Sequence, residues 1–234
     1  MTPPLTTLVL LHGLGATGSA WTPLRAIADW PGEVLAPDLP GHGSADRLGD
    51  YSVPSVAKAL AAILPDGPLA VLGHSFGGAV GAALAGLRDD VTAVLAVGVK
   101  VSWSEDDVAR FAALAARPPR VLPTREQALD RHLAMAGLVG RPPEEQADGV
   151  AEVDGGWGLA MDPAVLAQRS PDLPGLIAAT RARVSLLRGE HDPMVTLADL
   201  EACGAPAADL PGLGHNAHAE DPTLLWQTAR PLLT

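Results

Sequence analysis

Cysteine is nearly missing from this chain, lysine is scarce, and aromatic side chains are few. The single cysteine, Cys203, excludes an internal disulfide framework and a four-cysteine zinc site. Only two lysines, Lys58 and Lys100, stand beside fourteen arginines, and the net charge is −11. The sequence has no basic cluster, so nucleic acid is not an expected partner, and no basic amphipathic segment points to a membrane surface. The start of the chain lacks a basic n-region, and its apolar run is too short for a signal peptide or a membrane span. The cytosol is therefore the expected compartment.

Glycine (25) and proline (22) are plentiful, and 47% of the residues are hydrophobic against 18% charged, ordinary values for a globular α/β protein. A length of 234 residues suits one domain with an insertion better than two domains. Strand-like and helix-like stretches alternate from the beginning, which predicts a mostly parallel sheet with helices on both faces. Strands are expected over residues 6–11, 33–37, 69–72, 91–98, 184–188 and 207–210. Helices are expected over 21–30, over 53–64 with Ser52 as cap, over 75–87, near 195–203, and from Asp221-Pro222 to the end.

The rhythm breaks between residues 102 and 175, where no strand-like run occurs. Thr124 and Gln127 fit a capping box ahead of an Ala/Leu helix reaching Gly137, and Pro118-Pro119, Pro142-Pro143 and Asp162-Pro163 punctuate the rest. The expected organisation is a core domain of residues 1–101 and 176–234 carrying a helical lid, 102–175. A separate all-helical domain is the alternative, but both flanks return to the same sheet pattern.

The chain is organised around Leu69 to Gly81, where a short apolar run meets Gly73-His74-Ser75-Phe76-Gly77 and passes straight into an Ala/Leu-rich helix. Strand, Gly-x-Ser-x-Gly and helix in that order are the setting of a nucleophile elbow. The bland alternative is a glycine-rich turn with a passing serine. Acyl transfer needs a serine, a base, an acid to orient the base, and donors for an oxyanion. Ser75, Asp192 and His215 each fall just past a strand, on the edge where parallel sheets place their sites.

His215 is preferred to His218 as base because Gly214 gives it an exposed loop position, and Asp192 is preferred to Glu190, which is expected to brace the turn. The amides of Phe76 and of Leu14, in the His12-Gly13-Leu14 loop, are the expected oxyanion donors. His12 and His42 are expected to be structural. A metal at His215 and His218, or at His191 with Asp192, lacks a third grouped ligand. With so few other aromatics, Trp103 and Trp157 of the lid are expected to reach the substrate.

The segments LLHGLGATGSAW, PDLPGHGSAD, LGHSFGGAV, RGEHDPMV and GLGHNAHAEDP resemble the α/β-hydrolase superfamily, in its small lidded branch of esterases, C–C hydrolases and haloperoxidase-like enzymes. The resemblance implies Ser75 as nucleophile, Asp192 as acid and His215 as base, with no cofactor and a small-molecule substrate. It also implies a sheet of six parallel strands, since too few residues precede the first strand for the usual antiparallel meander. PDLPGHG and the GHNAH segment are similar to the menaquinone-pathway synthase that eliminates pyruvate. Ala79, however, stands where that enzyme has a basic residue. Ester hydrolysis is the expected activity, a lyase or C–C hydrolase of the same fold the alternative, and a hormone-receptor-like binding module the reading from another class. Oligomeric state is not legible in the sequence.

Overall fold

A strand buried on both faces has no polar side to show, so it reads as a short continuous apolar run. In a computed structural model, which describes residues 5–234, those runs become one sheet. Its strands are β1 Thr7–Leu11, β2 Val34–Leu35, β3 Leu69–His74 and β4 Val91–Val97. An insertion follows, holding β5 Val150–Val153 and β6 Gly156–Leu159, before β7 Arg183–Gly189 and β8 Ala207–Leu210 complete the sheet. The order across the sheet is β2-β1-β3-β4-β7-β8, parallel throughout.

The period of two along each strand divides the core. Val9, Leu11, Val71 and Val94 enter one apolar cluster, and Leu8, Leu10, Leu72 and Leu95 enter the other. The helices are α1 Thr22–Ile27, α2 Val53–Ala61, α3 Phe76–Leu87, α4 Glu105–Ala115, α5 Arg125–Ala136, α6 Leu173–Ala178, α7 Leu197–Glu201, α8 Ala217–Glu220 and α9 Pro222–Leu233. Helices α2, α3 and α6 bury residues in the first cluster, α1 and α9 in the second.

Several local expectations are corrected by the structure. The second strand shrinks to Val34–Leu35 at the sheet edge, where pairing comes from one side only. The helix expected over 21–30 is a 3-10 turn, Gly18–Trp21, followed by the short α1, and Pro31-Gly32 bars its continuation. Ser52 does not cap α2; its hydroxyl donates to Asp50 Oδ2 at 2.6 Å instead.

The largest departure lies in the insertion, which is not purely helical. β5 and β6 form an antiparallel hairpin across a two-residue Asp154-Gly155 turn, with Gly155 at φ +85°. Elsewhere in the insertion Thr124 Oγ1 accepts from the Gln127 amide at 3.2 Å and caps α5, which Gly137 closes in the left-handed region. Asp221 likewise caps α9 through the Leu224 amide at 2.9 Å.

Among the described residues no antiparallel strand joins the six-stranded sheet. Residues 1–4, on which the expectation of a missing meander also bears, lie outside the described ones. Among the described residues no helix is long and apolar enough to cross a membrane.

Candidate active site

β1 lies between β2 and β3, so the chain leaves it toward one side of the sheet and returns on the other. The loops after β1 and β3 part at that point, which opens a crevice at the carboxyl ends of the strands. The register Leu11↔Gly73 sets the two loops side by side.

Ser75 sits on the turn between β3 and α3 with φ 50° and ψ −116°, alone among the described non-glycine residues in having a positive φ. Such a backbone costs on the order of 1–3 kcal/mol and persists only where its surroundings impose it. Here they do. A Cβ at Gly77 would lie 2.3 Å from the Leu11 carbonyl oxygen, and one at Gly73 would lie 2.4 Å from that of Gly77. The Ser75 amide is held by the Val97 carbonyl at 2.7 Å, and the Gly78 amide donates back to the Ser75 carbonyl at 3.0 Å.

Facing this turn are the loops after β7 and β8. His215 Nδ1 donates to Asp192 Oδ2 at 2.8 Å. The Asp192 carboxylate is fully buried and accepts a second bond from the Met194 amide at 2.8 Å. With Nδ1 committed as donor, Nε2 is left with its lone pair. Glu190 braces the turn, accepting from the Gly212 amide at 2.8 Å.

Ser75 and His215 line one cavity of about 260 Å³, shared with Leu14, Lys100, Trp103 and Met194. Ser75 Oγ forms no hydrogen bond among the described residues, so the serine–histidine contact is open. Contacts of this kind commonly tighten only when substrate is bound. Leu14 and Phe76 border a narrower recess that also includes Ser75, and neither amide donates to an acceptor among the described residues. Two free N–H groups beside a hydroxyl can stabilise a developing oxyanion.

Of the two tryptophans expected at the substrate, only Trp103 is in the cavity wall. Trp157 is not: it packs with Leu122, Ala128, Leu129 and Val150 inside the insertion, and exchanges backbone hydrogen bonds with Leu122 at 2.7 and 2.8 Å. Its place in the hairpin register fixes it there, with the Arg125 guanidinium 5.8 Å from its ring. His218 is also outside the cavity wall. It is buried between Trp21 and His74, and burial pushes its pKa down to about 3. Among the described residues no group of three or more His, Cys, Asp or Glu side chains is arranged to hold a metal ion.

His12 and His42 take the structural places expected of them, whereas His74 is a supporting residue that the sequence pattern does not single out, since it fills a variable position of the elbow motif. Its Nε2–H donates to the His215 carbonyl at 2.9 Å, and its ring lies 4.9 Å from that of His215. Burial, then His218 and His215, hold its pKa well below the ordinary value, so it stays a neutral donor.

His12 donates through Nδ1 to the Gly13 carbonyl and accepts from the Leu39 amide at Nε2, both at 2.9 Å. His42 Nε2 accepts from the Gly15 amide at 3.2 Å. Burial lowers the two pKa values to about 3 and about 4 respectively, leaving neutral braces for the loop that carries Leu14. Asp38 holds the far end of that loop. Burial alone would raise its pKa, but bonds from the Gly18 amide and from Ser44 outweigh it and the net shift is downward.

The insertion is tied to the same loop. Asp148 Oδ1 accepts from Thr17 Oγ1 at 2.9 Å and from Ser19 Oγ at 2.7 Å, and Gln146 Nε2 donates to the Ser19 carbonyl at 3.1 Å. Trp103, Phe111, Leu114 and Met135 of the insertion thereby overhang Ser75.

A model of the alpha/beta hydrolase family matches residues 8–228. Among curated proteins, Lipase LipV of Mycobacterium tuberculosis is 39% identical over 92 residues, covering 38% of this chain and 34% of that protein. The pimeloyl-acyl-carrier-protein methyl ester esterase of Aeromonas hydrophila is 41% identical over 80 residues, 33% of this chain and 31% of its own length. The matched stretches thus span about a third of these relatives. Solved structures resemble almost the whole chain. An esterase from Mycobacterium tuberculosis superposes with a TM-score of 0.77 at 24% identity, covering 97% of this chain and 83% of the other. A thioesterase domain from the curacin biosynthetic pathway gives 0.76 at 20% identity, with 97% and 91% covered. At such identities the likeness is one of fold.

Proposed function

The chain belongs to the alpha/beta hydrolase family, and we propose that it hydrolyses small carboxylic esters, with Ser75 as nucleophile, His215 as base and Asp192 as the acid that orients it. The observation that carries this reading is a strained serine sharing one cavity with a histidine whose other nitrogen is bound to a buried carboxylate. Similarity to proteins named as lipase and esterase supports an ester as the substrate.

In the proposed reaction His215 Nε2 takes the hydroxyl proton as Ser75 Oγ attacks the acyl carbon. The Leu14 and Phe76 amides stabilise the oxyanion, and the Asp192 carboxylate stabilises the imidazolium without taking its proton. Collapse breaks the C–O bond, and His215 hands its proton to the departing alcohol oxygen. Water, deprotonated by the same histidine, then cleaves the acyl-enzyme. The insertion acts as a lid that supplies most of the apolar wall.

The test is a panel of p-nitrophenyl esters of graded chain length, read in the first turnover. A burst of p-nitrophenol equal to the enzyme concentration, followed by slower steady release, is the expected result. Turnover without any trappable acyl-Ser75 would favour the lyase or C–C hydrolase alternative.

A further inference from the structure

The sequence has no basic cluster, yet folding makes one. Arg47, from the loop before α2, meets Arg117 and Arg120, which follow α4, and Arg131 of α5 around one cleft of about 250 Å³. Its lining also includes Val153, Leu159 and Met161, and no aspartate or glutamate lines it. The chain carries a net charge of −11, so counter-charges are not in short supply. Even so, none of these arginines takes one. The ion pairs among the described residues engage Arg88, Lys100, Arg110, Arg141, Arg188 and Arg230, with His215, and never the four of the cleft.

The cleft is not isolated. Leu114, Met135 and Leu166 belong both to its wall and to that of the Ser75 cavity. An adjoining opening of about 690 Å³ again includes Arg120, Arg131 and Met135, together with Asp130, which forms no ion pair with either arginine. Like charges gathered without partners repel one another, and a planar guanidinium is built to grip carboxylate or phosphate oxygens in pairs. A serine cavity and an arginine cleft that share an apolar wall suit a bipartite substrate, with a carbonyl at one and an anionic end at the other.

We propose that the arginine cleft is a subsite for the remote anionic end, carboxylate or phosphate, of an ester or thioester whose carbonyl sits at Ser75. The inference rests on the hydrolase reading above and adds the substrate class. Leu114, Met135 and Leu166 border both ends, so the preferred substrate carries an apolar segment between charge and carbonyl.

Two matched pairs of substrates test it. The first is p-nitrophenyl hexanoate against the p-nitrophenyl monoester of adipic acid, which adds a carboxylate on the acyl side. The second is the hexanoyl thioester of N-acetylcysteamine against that of coenzyme A, which adds phosphates on the leaving side. At low salt the anionic member of at least one pair should be preferred by roughly tenfold in kcat/KM, mainly through KM. The preferred pair identifies the side that bears the charge. The preference should shrink toward about one as salt rises to about 0.5 M.

In the double variant Arg117→Gln/Arg131→Gln the ratio should also fall to about one, whereas Arg25→Gln, on α1, should keep it. Calorimetry on Ser75→Ala with coenzyme A and with ethyl hydrogen adipate reads the subsite without turnover. The probe carrying the favoured charge should bind, and binding should vanish in Ser75→Ala/Arg117→Gln/Arg131→Gln. A ratio near one in the wild type for both pairs, or one the double variant leaves intact, overturns the inference while neutral-ester turnover leaves the hydrolase reading standing. No turnover of any ester, together with arginine-dependent binding to Ser75→Ala, removes the hydrolase reading and leaves the anion subsite.

Discussion

The elbow and the insertion beside it are held in place by different balances of forces. Around Ser75 the constraint is steric: Gly73 and Gly77 approach backbone oxygens so closely that no side chain fits, and β3 is buried along its whole length. The insertion combines polar ties with apolar ones: Asp148 binds Thr17 and Ser19, the Tyr51 hydroxyl donates to Asp162 Oδ2 at 2.8 Å, and Gln168 Nε2 donates to the Tyr51 carbonyl at 3.0 Å. It also places Val165 and Leu166 in the main apolar cluster and packs Leu133, Ala136 and Leu138 with Ala16 and Ala20. Its first helix, α4, buries no residue fully. Sterics set the position of the proposed nucleophile, and the packing and polar ties of the insertion set what can reach it.

The most severe effects are expected on the core side. His215→Gln should lower kcat/KM by about a thousandfold or more with little change in unfolding temperature. Steady-state kinetics beside thermal unfolding checks both halves. Gly77→Ala should act on the fold itself. Its methyl would meet the Leu11 carbonyl oxygen at 2.3 Å, and a loss of roughly 3 kcal/mol or more in urea unfolding is expected. A near-neutral result would mean that the turn is not sterically determined.

Acid should weaken the same side next. His12, His42 and His218 have folded pKa values of about 3, 4 and 3, lowered chiefly by burial, against 6.5 in the unfolded chain. Below pH 6.5 the unfolded chain binds protons that the native state refuses. Their contribution is therefore complete above that pH and is lost progressively as the pH falls toward the folded values. Urea midpoints measured between neutral pH and about pH 5 should fall steadily with acidification. The smallest effects belong to the insertion. Trp103→Ala should shift KM and chain-length preference severalfold, whereas Trp157→Ala should lower unfolding temperature without altering preference.

That division also explains what could be read before folding. Strands buried on both faces announce themselves as apolar runs, and an elbow needs its glycines at fixed spacing, so β1, β3, β4, β7 and the Ser75 turn were legible. The hairpin of β5 and β6 was not, because only Val150 of β5 is buried and glycines interrupt β6; Asp154-Gly155 was the available signal. Trp157 lies outside the cavity wall for the same reason, since its position follows from that hairpin. His74 is invisible as a motif's variable position. The arginine cleft unites Arg47 of the core with three arginines of the insertion, a proximity that only the tertiary fold creates.

The most direct measurement is intact-mass analysis after a fluorophosphonate probe, on wild type and Ser75→Ala, with ester turnover recorded on the same samples. A single adduct mapped to Ser75 in the wild type is the predicted result, with neither adduct nor turnover above background in the variant. An unlabelled wild type, or a variant that still cleaves esters at near-normal rate, would contradict it.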